Sequence, residues 1–158
     1  MLPKLFDELN SIYMPVCEKA AQIKAKLTDA GFSLTLGFYN NHYVRRGDGF
    51  EVEHFPIPVI SVADVGDIGV DIDSIWVETK LAKERAMLLD YPAMARVYKM
   101  EVYGADDFLN DFYNDRTDPR ETAQKISSSD ETAICVLLYF GLEVRADEIA
   151  ELIRLFNA

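Results

Sequence analysis

The chain has 158 residues, of which 49% are hydrophobic, 11% aromatic and 27% charged, and its formal net charge is −11. That length suits one domain of ordinary size, and that apolar content supplies a continuous core, so a disordered composition is excluded. The acidic balance repels phosphate backbones, so no nucleic acid is expected as partner; it suits solubility, or a basic protein partner.

Leu5, Leu9, Ile12, Val16, Ala20, Ile23 and Leu27 recur at helical spacing. They predict an amphipathic helix from about Pro3 to Ala30, closed by Gly31, with a kink or break at Pro15. Residues 32–39 (FSLTLGFY) alternate and are β-rich, which predicts a strand. A turn at residues 46–49 leads into a second strand from Phe50, and Pro56 and Pro58 suggest an edge or a bend. Val59 to Val65 and Ile68 to Lys80 flank Gly66-Asp67, read as a two-residue, glycine-first hairpin turn. Pairing about that turn places Ile57, Val59, Ala63, Val65, Ile68, Val70, Ile72 and Trp76 on one face.

Leu81 to Leu89 is expected to be helical with Thr79 as its cap, and Arg96 to Tyr103 to add a strand. Four helical pieces are expected after that: 105–113, a piece opening at Asp118-Pro119, Thr132 to Phe140 ended by Gly141, and Ala146 to Phe156. The last carries Ile149, Leu152, Ile153 and Phe156 on one stripe. The expected architecture is a single α+β domain over residues 1–158. It has a mainly antiparallel sheet of about four strands within residues 32–103. An N-terminal helix and a helical tail over 105–157 pack on that sheet.

Cys17 and Cys135 lie far apart with no CxxC, so free buried thiols in a reducing compartment are expected, with one disulfide left open. The first turn is interrupted by charge, unlike a signal peptide, and the longest apolar run, Ala133 to Leu142, is too short to span a bilayer. No membrane association is therefore expected, and the cytoplasm is the expected location. His42 and His54 have no second ligand at metal-binding spacing, and no phosphate loop or nucleophile elbow is present, so no cofactor is expected.

The sharpest motif is Glu78-Thr-Lys80 at the end of an apolar strand, preceded by Asp64, Asp67 and Asp71. It resembles the (D/E)-x-K half of the PD-(D/E)xK nuclease superfamily, whose helix, three strands, helix, strand order can be laid on residues 3–103. The resemblance implies a divalent-metal-dependent hydrolase. Asp67 or Asp71 with Glu78 would hold the ion, and Lys80 would support the nucleophile or the developing charge. The hairpin as read puts Asp64 and Asp71 on one face and Glu78 and Lys80 on the other, so convergence requires a bulge near Asp73-Ser74. Asp67, Asp71, Asp73 and Glu78 also match acidic positions of an EF-hand loop. Gly69 and Ile72 break that pattern, and the alternating Ile68, Val70 and Ile72 favour a strand.

No catalytic constellation dominates the chain. The favoured expectation is a non-enzymatic protein-binding or regulatory domain. The metal-dependent hydrolase comes second, and a small-molecule pocket between helices and sheet near Trp76 and Phe38-Tyr39 comes third.

Overall fold

The computed structural model describes residues 2–43, 52–82, 85, 96–103, 124, 128 and 133–157. Helix α1 (Leu2–Asp29) leads into four consecutive strands, β1 (Leu34–Tyr43), β2 (Val52–Val62), β3 (Gly66–Val70) and β4 (Ile75–Ala82). Strands β5 (Val97–Tyr103) and β6 (Ala133–Phe140) and helix α2 (Ala146–Asn157) follow. The six strands form one sheet in the order β1-β2-β3-β4-β6-β5, and every neighbouring pair is antiparallel. The sheet thus has six strands, where the sequence pattern predicts about four.

Helix α1 turns Val16, Ala20, Ile23 and Leu27 inward, all buried, at the spacing that aligns side chains on one helical face. It runs through Pro15 without the expected break. Its end is a Schellman motif. Gly31 takes φ +88°, its N–H donates to the Thr28 carbonyl at 3.0 Å, and Phe32 N–H donates to the Leu27 carbonyl at 3.1 Å.

The helices cover one face of the sheet. The row Ile60, Ile68, Val77, Leu138, Met100 crosses five strands in register, and each member is buried. Burying such a side chain contributes about 1.5–3 kcal/mol, so this face carries much of the stability. Helix α2 adds Ile149, Leu152, Ile153 and Phe156, the predicted stripe. Its N-terminus is tied by Arg145 N–H donating to Glu148 Oε1 at 3.2 Å. At its other end the Arg85 guanidinium donates to the carbonyls of Phe156 at 2.8 Å and Leu155 at 3.1 Å, where a cation suits the helix dipole.

Three expectations are corrected. Residues 133–140, read as helix, are strand β6 between β4 and β5, with Ile134, Val136, Leu138 and Phe140 buried in alternation. A run apolar throughout suits a central strand as well as a buried helix, and β6 is central. Thr79 is no helix cap: it lies inside β4, and its buried hydroxyl donates to the Val65 carbonyl at 2.7 Å. The β2–β3 turn sits at residues 63–65, two residues before the expected Gly66-Asp67. Val62 pairs with Gly66, Val65 N–H donates to the Val62 carbonyl at 3.1 Å, and Asp64 takes φ +65°. Aspartate tolerates that conformation, which frees Gly66 to enter the strand. The turn at 46–49, the helices expected over 105–113 and from 118, and most of the one over 81–89 fall outside the described residues.

Pro56 and Pro58 sit within β2, on the half that β3 does not pair, since that pairing covers only Val59–Val62. Among the described residues, strand β2 is therefore interior along one half and an edge along the other, which is where proline is tolerated.

A Cβ at Gly66 would run into the Glu78 carbonyl of β4, and its φ of +155° is one that few side-chain-bearing residues adopt. Gly66→Ala should lose about 3 kcal/mol in a urea unfolding titration, because backbone must move. Gly31→Ala has open space around the new methyl group and should lose only about 1 kcal/mol, from the left-handed conformation alone. Equal losses at the two positions would contradict this account.

Candidate functional site

The face away from the helices is chemically different. The register places Ser61, Asp67, Glu78, Leu137 and Glu101 in one row across it, and Gly37, Val59, Gly69, Trp76, Tyr139 and Lys99 in the next. A cleft of about 660 Å³ opens on this face, and Asp67, Asp71, Glu78, Tyr39, Trp76 and Tyr139 all line it. Among the described residues, no lysine, arginine or histidine lines it. A smaller depression of about 380 Å³ lies beside it and is lined by Asp64, Asp67, Glu78 and Lys80. Asp67 and Glu78 border both, so their carboxylates form a ridge between the two.

The aromatic wall depends on a glycine. Trp76 pairs with Gly69 across β3–β4, and a Cβ there would collide with the indole, so the ring lies over bare backbone. Tyr139 follows on β6, with Lys99 Nζ 5.1 Å from its ring centroid and the Tyr98 ring 6.4 Å away. A one-residue register shift between Val97 and Lys99 places Val97 opposite Phe140 while Lys99 faces the open side.

These positions change the reading of the sequence candidates. Asp67 stands directly opposite Glu78 in the β3–β4 ladder, and Lys80 lies on the same face two residues on. No bulge at Asp73-Ser74 is needed: the short loop over 71–74 turns the chain back, so odd residues of β3 stand opposite even residues of β4. Asp71 joins them from the cleft side and Lys80 from the other, so the four do not line one cavity. Asp71 is also a turn residue, since Ile72 N–H donates to its Oδ1 at 2.6 Å and its own N–H donates to the Ser74 carbonyl at 2.8 Å. No group of three or more His, Cys, Asp or Glu side chains among the described residues is placed to hold a metal ion. The EF-hand spacing is dissolved by strands β3 and β4, which take up Asp67 and Glu78.

The expected pocket near Trp76 and Phe38-Tyr39 exists, but on the open face and not between helices and sheet. Tyr139 and Leu137 were not legible as site residues, because a helix predicted over 132–140 hides which of them share a face.

Cys17 and Cys135 are both free and half-buried. Cys135 Sγ donates to Glu78 Oε1 at 3.4 Å. Burial pushes the Cys135 thiol up to about 11, and the negative Glu78 adds to it. The thiol therefore stays protonated at neutral pH, where it is a weak donor and a poor nucleophile. Tyr103 donates to Glu101 Oε2 at 2.6 Å, and this bond, with burial, pushes the phenol up to about 12.

The described chain is an α+β protein whose antiparallel sheet is covered by helices on one face and carries an acidic, aromatic-walled cleft on the other. It belongs to the DUF3201 family, proteins of unknown function, whose model matches residues 7–154. It is similar to the solved structure of a conserved hypothetical protein from Pyrococcus furiosus, at 26% identity over 99% of each chain and a TM-score of 0.59. No curated protein matches it. No helix among the described residues is long and apolar enough to cross a membrane.

Both raised groups favour the folded state while they are neutral. That contribution is whole below the unfolded values of 9.0 for Cys135 and 10.0 for Tyr103, and is lost as pH rises toward about 11 and about 12. Thermal midpoints should therefore fall across this alkaline window, and the fall should be shallower in a Cys135→Ala, Tyr103→Phe double variant. Parallel pH profiles for the two proteins would rule the linkage out.

Proposed function

We propose that the open sheet face is a non-enzymatic binding surface for the cationic side chains, arginine or lysine, of a basic protein partner. The observation that carries this reading is Asp67 directly opposite Glu78, in a cleft that they share with Asp71, Trp76 and Tyr139 and that no basic residue lines among the described residues. Like charges directly opposite each other in an antiparallel pair are unfavourable, and a bound cation relieves that cost. The Trp76 ring beside the carboxylates adds cation–π attraction for the same kind of group. The formal net charge of −11 attracts such a partner at long range.

Trp76 is the chain's single tryptophan and lines the cleft, so its fluorescence reports occupancy directly. Short arginine- and lysine-rich peptides should shift its emission with an affinity that weakens as salt is raised. Glu78→Gln should weaken binding about tenfold, the equivalent of about 1.4 kcal/mol. An emission indifferent to every cationic peptide at low salt would sink the proposal.

A divalent-metal-dependent hydrolase is the second reading. It is favoured by the placement of Asp67, Glu78 and Lys80 on one face of adjacent strands. Its test is a thermal-denaturation series with Mg²⁺, Mn²⁺ or Ca²⁺ against EDTA. An ion that binds only the folded chain raises the midpoint by mass action, and Glu78→Ala should abolish the shift. Midpoints unmoved by any of the three ions would leave peptide recognition alone.

A further inference from the structure

We propose that β1 is a self-association edge, at which a second copy of this chain pairs its own β1 antiparallel about Gly37 and continues the sheet through both subunits.

Strand β1 ends the sheet, and no described strand pairs with its outer side. Exposed edges are normally blunted by charge, proline or a bulge, because an open ladder recruits other strands. The opposite edge is blunted in this way: β5 has a register shift between Val97 and Lys99, and it carries Lys99 and Glu101, paired at 3.6 Å. The ten residues of β1, LTLGFYNNHY, include no proline and no Asp, Glu, Lys or Arg. Its one register shift falls between Asn41 and Tyr43, so Leu34 to Asn41 pairs regularly with β2.

The edge is also apolar. Leu36 is 54% exposed, Phe38 70% and Tyr39 58%. Leu36 extends the helix-side row of Ile60, Ile68, Val77, Leu138 and Met100, whose other members are all buried. What that row lacks at Leu36 is a further strand.

The occupant is argued from the sequence of β1 itself. A two-fold axis at Gly37 sets Leu36 opposite the partner's Phe38 on the helix side and Thr35 opposite the partner's Tyr39 on the open side. The pairing is apolar against apolar and β-branched against aromatic, both favourable cross-strand pairs. Gly37 meets its symmetry mate at the axis, where a Cβ would have nothing within 4 Å in the isolated chain. Two chains that each carry −11 repel, and β1 lets them meet without opposing like charges. A closed two-fold pair is the commonest symmetric assembly, and it uses one patch twice.

Sedimentation velocity of the full chain over a dilution series tests this, independently of what the cleft binds. The expected result is a species of twice the chain mass that dissociates on dilution. Leu36→Lys and Phe38→Lys, both at exposed positions, should each leave a folded monomer, with folding checked by circular dichroism. The double variant Leu36→Lys, Phe38→Glu should recover the dimer, since the axis then sets opposite charges against each other at both ends. A wild-type chain that is monomeric at every concentration would overturn the proposal, as would a Phe38→Lys variant that keeps the wild-type dimer. A double variant that stays monomeric would overturn the pairing about Gly37.

Discussion

The close approach of β3 to β4 at Gly66 sets the address of every residue on the open face. The Gly66 backbone lies against the Glu78 carbonyl with no room for a Cβ, and the buried Thr79 hydroxyl holds the Val65 carbonyl at 2.7 Å. Together they fix the turn at residues 63–65 and the pairing of Asp67 with Glu78. Side chains alternate along a strand, so a slip of one residue would exchange the two faces, putting Asp67 toward the helices and Ile68 into water. Such a slip would bury a carboxylate without a partner, a cost of several kcal/mol, so the register that builds the core also builds the cleft.

The two faces then divide the labour. The helix side is almost wholly aliphatic, and its members are buried in register across five strands. With stability supplied there, the other side carries two carboxylate residues directly opposite each other and an indole laid on bare backbone. A fold says little about function by itself, and neither the family nor the archaeal relative is assigned an activity. Function is therefore argued from the chemistry of the open face: acid ridge and aromatic wall.

Much of the scaffold was legible in the sequence. The spacing of Val16, Ala20, Ile23 and Leu27 gave α1, and Gly31 marked its end through the one backbone conformation that suits glycine best. The stripe from Ile149 to Phe156 gave α2, and the alternation of 97–103 gave β5. Strand β6 was not legible, because a run such as AICVLLYF is apolar on both faces and has no period to read, and residues 128–131 imitate a helix cap. The candidate site was half legible. The residues Asp67, Asp71, Glu78 and Lys80 stood out, but glycine's preference for turns drew the hairpin to Gly66-Asp67. The signal passed over was Asp64, a residue able to turn the chain two positions earlier.

Pro56 and Pro58 lie where β2 runs on beyond β3, beside the part of the cleft formed by Ile57, Asp71 and Ser74. An open strand edge in a binding cleft ordinarily invites an extended peptide to add itself as another strand through its main chain. Two residues without an N–H, alternating along that edge, deny such a peptide the donors it would need for a ladder. A guest of the kind proposed would thereby be held by its side chains. Its selection would then rest on charge and shape at single positions, and not on a backbone that every peptide shares.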